Sequence, residues 1–531
     1  MNTRRFTCGM LLLALGVVAQ AEGQEAPAGK ATYDKWCAGC HGEEGAGDGV
    51  AAAYMLPQPR DFTTALYQIR TTASGELPTD GDILRMIDEG MPGSAMPGWK
   101  DYLSNTERTD LVQYLKTFSP FFEDEVPPPL EYGGAPGVSE EGLAEGREFY
   151  DKIECWKCHG QAGRGDGPSA PTLEDDWDLP IRAADLTEGW NFNGGYTTEA
   201  IFSRLMTGLN GAPMPSFADL IDAEFMTEEQ LWRVAQFVEG LSPETPEVRE
   251  VVRAALVETL PATVDDPAWN QIERFYVPLV GQVIVEPRWF APTVDGVWVQ
   301  AAHDGERVAL RLIWNDPSES PSAEWEEWRQ RVVGVMEPTV EIAVSTAEEE
   351  AVGAGEPEVG ELLTDALTVQ FSTTIPEGMK RPYFLMGDQD EPVYLLNWSS
   401  GGSANEALGR GLNAIEPIAG ETILTSESTF DDGQWRLLVS RALTAESENR
   451  LAFETGRPIP MAIFAWDGSN GESGTQGAIS TWYFLYLDQP TENVTYAFPV
   501  LAVLLTAVLG VVIVTRAQRG AHGPGPGAGP D

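Results

Sequence analysis

The chain has 531 residues, 42% of them hydrophobic, which is too long for one core and apolar enough for several folded domains. Its 82 acidic side chains face 34 basic ones, a formal net charge of −48. That excludes nucleic acid and anionic membrane surfaces as partners, because a phosphate-binding face needs clustered lysine and arginine. The acidity reads as a solubilising surface, with a docking face for a basic partner as the other reading.

The first element is "MNTRRFTCGMLLLALGVVAQAEG", with a basic start, an apolar run from Met10 to Ala19 and an Ala19-Gln20-Ala21 cleavage pattern. Residues 1–21 therefore read as a secretory signal peptide. Cys8 leaves with it, so the exported chain keeps Cys37, Cys40, Cys155 and Cys158, in "CAGCH" and "CWKCH". Exported cysteine pairs can be disulfides, zinc ligands or redox pairs. The histidine directly after each pair discriminates among these. Two thiols three positions apart can bond the two vinyl groups of one haem while the next imidazole faces the iron.

The two motifs start a repeat. Set 118 residues apart, "CHGEEGAGDG" (40–49) matches "CHGQAGRGDG" (158–167), and "PRDFT" (59–63) matches "AADLT" (183–187) after a six-residue insertion. "DILRMIDEGMPGSAMPGW" (82–99) then matches "AIFSRLMTGLNGAPMPSF" (200–217) in the original register. Met96 falls on Met214, each 55 residues beyond its histidine, His41 or His159. Met91 falls on Leu209, so Met96 is the ligand candidate and Met91 is expected to pack against the haem edge.

Each repeat predicts a small helical unit: an amphipathic stretch before the cysteines, a second helix about 81–90 and 198–208, and a closing helix in "TERTDLVQYLKTF" and "TEEQLWRVAQFVEGL". Both units resemble class I mono-haem cytochrome c domains, over 30–119 and 142–242. The resemblance implies that Cys37, Cys40, Cys155 and Cys158 bind two covalent c haems, with His41 and His159 as proximal and Met96 and Met214 as distal iron ligands. The segment 120–141, containing "FFEDEVPPPLEYGGAPG", reads as an acidic proline- and glycine-rich linker.

Beyond the second unit, short β-rich runs alternate with turns: "GVWVQAAHDGERVALRLIW" (296–314), "DALTVQFST" (365–373), "GQWRLLVSRAL" (433–443), "PMAIFAWDGSN" (460–470) and "AISTWYFLYLD" (478–488). This predicts an all-β antiparallel sandwich, with "HDGER" as a hairpin turn that accounts for His303. "TAEEEAVGAGEPEVGE" (346–361) reads as a solvated acidic loop. Residues 265–490 resemble the haem b subunit of ethylbenzene dehydrogenase and its dimethylsulfide, selenate and chlorate relatives, through "HDGERVALRLIWND", "DALTVQF", "YFLMGDQDEPVYLLNW", "WRLLVSRAL" and "FAWDGSNGESGTQGAISTWYF".

That resemblance implies one non-covalent b haem held by a methionine and a lysine, and partners in the form of molybdenum catalytic and iron–sulfur subunits. Met386 is the methionine expected to serve. The lysine is in doubt, because Ser399 and Ser400 follow Trp398 where the family carries one, and Lys380 is the sole lysine after Lys157.

Last, "AFPVLAVLLTAVLGVVIVT" (497–515) runs 19 residues without a charge and is followed by Arg516 and Arg519. This predicts one transmembrane helix, with 516–531 as a disordered cytoplasmic tail and the main body in the periplasm. The expected whole is a multidomain, membrane-anchored cytochrome that carries electrons between a periplasmic oxidoreductase, a molybdenum enzyme or another redox protein, and the respiratory chain. Two alternatives stay open: a dihaem enzyme of the peroxidase or thiosulfate dehydrogenase type, and a cytochrome whose sandwich is a cofactor-free docking module.

Overall fold

The computed structural model describes residues 27–243, 245–336, 363–376, 381–420, 422–445, 447, 449–489 and 494–521. The expected signal peptide, the acidic loop at 346–361, Lys380 and most of the expected tail lie outside the described residues.

The first helical unit contains α1 (Lys30–Trp36), α2 (Ala38–His41), α3 (Asp80–Glu89) and α4 (Asn105–Lys116). The second contains α5 (Glu140–Lys152), α6 (Trp156–His159), α7 (Thr198–Thr207), α8 (Ala218–Asp222) and α9 (Glu228–Leu241). The longer helices start where the sequence offers a cap. Thr79 with Asp82, Ser104 with Glu107, and Thr227 with Gln230 each form a reciprocal capping box that satisfies the first free amides. Each unit closes on its own apolar cluster, around Tyr33, Ile83, Leu111 and Leu115 in the first and Tyr150, Phe202, Leu231 and Trp232 in the second. Phe202 and Trp232 stack with ring centroids 3.7 Å apart.

The linker is pinned at both ends. The Leu130 amide donates to Thr71 O at 2.8 Å, while Tyr132 packs into the second cluster and Gln236 Nε2 donates to Pro136 O at 2.6 Å. Its prolines prevent a helix but do not leave it free.

The third region is built from β1 (Val251–Leu256), β2 (Phe275–Pro278), β3 (Val280–Gly281), β4 (Gly296–His303), β5 (Arg307–Asn315), β6 (Ala366–Ser372), β7 (Val393–Ser399), β8 (Asn405–Gly409), β9 (Ile415–Pro417), β10 (Leu424–Asp431), β11 (Gln434–Ala442), β12 (Pro458–Trp466), β13 (Ala478–Ile479) and β14 (Tyr483–Leu487). The main path runs β10-β11-β5-β4-β1-β14-β12-β6-β7-β8-β9. One buried cluster takes Leu310, Leu312 and Trp314 from β5 together with Val369 and Phe371 from β6, so the sheet folds over to cover itself.

The sheet is mixed, which corrects the expectation of a purely antiparallel sandwich. β1, upstream of residue 265, runs parallel to both of its neighbours, β4 and β14. Its alternating burial is the same pattern an antiparallel strand would have, so side-chain periodicity carries no information on direction. His303 is the last residue of β4 and fully buried, with Nε2 2.9 Å from Asp488 O; the turn itself is Asp304-Gly305-Glu306.

Between β5 and β6 lies α10 (Glu326–Met336). Its Trp328 and Val332, with Trp325 and Trp289, pack against Ala170 of the second unit and Leu56 of the first. Helix α11 (Val494–Ala521) follows the sheet, and its Leu501–Gln518 window, with mean hydropathy 2.0, is long and apolar enough to cross a membrane.

Candidate haem sites

In each unit the motif cysteines and histidine share one short helical turn. His41 N bonds to Cys37 O at 2.9 Å and His159 N to Cys155 O at 3.0 Å, so both thiols and the imidazole project from one backbone turn. The four thiols are unbridged. Burial pushes Cys37 up to about 11 and Cys155 up to about 12, so neither is a thiolate poised for disulfide exchange at neutral pH.

Both imidazoles are held alike from behind. His41 Nδ1 lies 3.0 Å from Arg60 O, and His159 Nδ1 lies 2.9 Å from Ala184 O. A carbonyl can only accept, so Nδ1 carries the proton and Nε2 is left with a lone pair for a metal. Burial lowers both histidine pKa values, which keeps that lone pair available.

The glycines of the repeat explain themselves at this turn. Gly47 N donates to His41 O and Gly165 N to His159 O, each at 2.9 Å. A Cβ on Gly49 would lie 2.5 Å from Gly39 O, and one on Gly167 would lie 2.3 Å from Lys157 O. The chain must pass this close to the cysteine turn, and only glycine fits. Composition alone would not have singled out two further residues: Tyr33 and Tyr150, fully buried, donate through their hydroxyls at 2.7 Å to Gly42 O and Gly160 O, the carbonyls just after each histidine. They sit one residue out of register with each other in the repeat, four residues before Cys37 and five before Cys155, so the alignment did not pair them.

Cys37, Cys40 and His41 line a cavity of about 610 Å³, and Met91 and Met96 line it too. That volume suits a large planar cofactor. Backbone bonds separate the two methionines. Met91 N donates to Met96 O and Leu209 N donates to Met214 O, each at 3.0 Å, while Trp99 N to Ile87 O and Phe217 N to Leu205 O are both 2.8 Å. Met96 and Met214 therefore occupy the same station of the same loop, as the repeat register anticipates. Gly90 and Gly208 make the crossover possible with φ of 71° and 63°. Met214, like Cys155 and Trp156, is partly buried against the second unit's apolar cluster.

The second unit also walls the first cavity, through Asp175, Trp177, Leu179, Ile181 and Asn193. Arg60 lies over the Trp177 ring at 4.7 Å, and its Nη1 is buried with no hydrogen-bond partner. A buried guanidinium with a spare donor on the wall of this cavity suits a cofactor that carries carboxylates. The thiols, the imidazole, the thioether and this cation together fit a covalently held haem.

The second site has the opposite electrostatics. Arg60 is replaced by Ala184 in the repeat, and the next residue, Asp185, joins a buried carboxylate group with Glu188 and Asp295. Asp185 accepts from Thr187 N at 2.8 Å and from Asn315 Nδ2 at 2.7 Å, and Asn191 Nδ2 bridges Glu188 and Asp295. Burial raises all three, Asp185 to about 6; repulsion from the neighbouring carboxylates adds to it at Asp185 and Glu188, while hydrogen bonds from Glu188 and Asn191 offset part of it at Asp295.

These groups hold protons in the folded state that the unfolded chain releases. The contribution of Asp185 is complete below roughly pH 4 and is lost as pH rises through about 6, and the other two act in the same direction. The melting temperature should accordingly fall between mildly acidic and neutral pH. Glu188→Gln should flatten that slope, as thermal melts at a series of pH values would read; equal slopes in both proteins would refute it.

Met386 sits in the third region, almost fully buried among Leu385, Val393, Leu395, Phe464 and Trp466. Its φ of 58° is left-handed for a residue with a Cβ, and its amide donates to Gln370 Oε1 at 3.1 Å. The thioether lies in an apolar setting that suits a soft iron ligand. Ser400 is engaged elsewhere, donating to Ser320 O at 2.5 Å. His303 is bonded to Asp488 O and is not among the residues around Met386.

Comparison with known proteins agrees with this division. The family model for cytochrome c oxidase, cbb3-type, subunit III matches residues 24–115, that for cytochrome c matches 143–242, and that for ethylbenzene dehydrogenase matches 266–416. A putative respiratory nitrate reductase heme subunit of Haloferax mediterranei is 24% identical over 50% of this chain and 82% of its own. The dimethylsulfide dehydrogenase subunit gamma of Rhodovulum sulfidophilum is 25% identical over 42% of this chain and 74% of its own. Among solved structures, a reducing HAO-like protein complex of Kuenenia stuttgartiensis aligns at 45% identity over 41% of this chain and 97% of that chain, with a TM-score of 0.39. The chain thus joins two cytochrome c-type domains to a domain of the ethylbenzene dehydrogenase family.

Proposed function

We propose that this protein is an exported, membrane-anchored electron-transfer subunit, holding two covalent c haems and one b haem, that links a periplasmic molybdenum oxidoreductase to the respiratory chain. The observation that carries the reading is the duplicated site: in each unit a histidine fixed through Nδ1 by a backbone carbonyl, and a methionine loop closed by the same amide bond. A haem bound there supplies a one-electron couple.

The protein's own residues do the rest. The cysteines tether, His41 and His159 present Nε2, and Met96 and Met214 offer a neutral sulfur that favours ferrous iron and raises the potential. A haem held by His41 with Met96, or by His159 with Met214, would keep no open position for a substrate, so the sites suit electron transfer rather than substrate turnover. The haem subunit of the nitrate reductase and the gamma subunit of the dimethylsulfide dehydrogenase support a role inside a larger redox enzyme.

The purified full-length protein should contain two covalent haems and one that acid–acetone extracts, and Met386→Ala should lose only the extractable one. A ratio of two to zero in protein made with ample haem would leave the β domain as a docking module. Stoichiometric cyanide binding to the ferric protein would move the assignment to a dihaem enzyme. For topology, truncation ahead of Ala497 should release a soluble protein that keeps both covalent haems, and protease added to spheroplasts should digest the haem domains while sparing the tail after Arg516. Retention of the truncated form on salt- and alkali-washed membranes would refute a single C-terminal anchor.

A further inference from the structure

Three aspartates meet where the β domain faces the second haem unit. Asp316 follows β5, Asp365 precedes β6 and Asp467 follows β12, and none is more than 1% exposed. One carboxylate oxygen from each lies within 4.8 Å of the other two. Two of the three are well provided with donors. Asp365 accepts from Ser320 N at 2.7 Å, Gly468 N at 3.0 Å and Trp435 Nε1 at 3.1 Å, and Asp467 Oδ1 from Ser469 N and Oγ and from Asn470 N.

Asp316 is the exception. Its Oδ1 accepts from Ser318 N at 3.1 Å, while its Oδ2, buried beside Asp365 and Asp467, has no hydrogen-bond partner among the described residues. A fourth buried carboxylate, Glu472, adds to the charge. The cation reaching in is Arg182 of the second haem unit, and its guanidinium donates to Pro292 O and Asn470 Oδ1, not to a carboxylate. Among the described residues four carboxylates face one guanidinium, so without a further cation some of them must stay protonated, and an orphaned oxygen facing two others suits a positive partner.

We propose that Asp316, Asp365 and Asp467 bind a divalent cation, calcium by donor chemistry and burial. The donors are all hard oxygens, which select calcium or magnesium over zinc or copper. Magnesium keeps several of its waters and is seldom enclosed by protein alone, whereas calcium accepts a cage of carboxylates, so three aspartates no more than 1% exposed favour calcium. The ion would staple strand ends from both halves of the folded sheet. It would also steady the junction with the second haem unit, because Asp316 N bonds to Gly433 O and Arg164 Nη1 donates to the neighbouring Asp432 O at 2.7 Å.

The test uses the full-length, haem-loaded protein, washed in high salt to strip ions from its acidic surface. Elemental analysis should find about one calcium per chain. EGTA should lower the melting temperature by several degrees, and added calcium, but not equimolar magnesium, should restore it. Asp316→Asn should keep both covalent haems yet lose the calcium and the response to EGTA. Wild-type protein that holds no calcium and melts identically in EGTA and calcium would overturn the proposal. So would an Asp316→Asn protein that melts higher than wild type, the outcome expected where the carboxylates merely share protons. If Asp316→Asn does not fold, the wild-type titration decides alone.

Discussion

Met96→Ala should abolish the sulfur-to-iron absorption band of the first haem and lower its potential by on the order of 0.1 V, a fraction of the roughly 0.8 V that axial ligation commands. Met91→Ala should do neither. Both side chains line the same cavity, so proximity does not distinguish them. The loop does, because the Met96 carbonyl accepts the amide bond that Met214 accepts at the same place in the second unit, while the Met91 position is filled there by leucine. A leucine cannot ligate iron, so a site built the same way twice cannot depend on that position. Loss of the band in Met91→Ala alone would show that ligation departs from the repeat. Absorption spectra and redox titrations of the two variants check this directly.

Gly167→Ala should remove one of the two covalent haems. The added methyl would lie 2.3 Å from Lys157 O and 2.5 Å from Trp156 O, backbone atoms of the cysteine turn that cannot rotate away. Such a clash costs roughly 3 kcal/mol, and relieving it displaces the thiols and His159 from the geometry that attachment needs. Gly49→Ala should do the same to the first haem, where the nearest atoms are Gly39 O and the Cys40 carbonyl. Gly39→Ala is the control, since nothing lies within 4 Å of its added Cβ and the repeat carries a lysine there. Haem-to-protein ratios by pyridine haemochrome should read one, one and two. Two haems in Gly167→Ala would mean that the loop yields more easily than its packing implies.

The helical units were legible in the sequence for a physical reason. Covalent haem attachment demands fixed residues at fixed spacing, and the loops that wrap it demand glycine at the points of closest approach, so both copies kept the same signature. The helices themselves were read from their apolar pattern, and the capping pairs Thr79-Asp82, Ser104-Glu107 and Thr227-Gln230, each within four residues, are a local signal that fixes their starts. The β domain was legible as alternating strands but not as a mixed sheet, since β1 meets β4 and β14 by routing through space and its side-chain alternation is silent on direction.

By itself, then, the sequence determined the two haem-binding signatures, the repeat that separates Met96 from Met91, the strand content of the third region and the apolar terminal helix, all of which depend on residues close in the chain or on a repeated local pattern. Only the tertiary structure decided what lies around them: that Trp177 of one unit walls the other's cavity over Arg60, that Asp185, Glu188 and Asp295 share one buried site, and that Asp316, Asp365 and Asp467 converge from three strand ends. Burial and electrostatics belong to neighbours far apart in sequence, and no window of residues contains them.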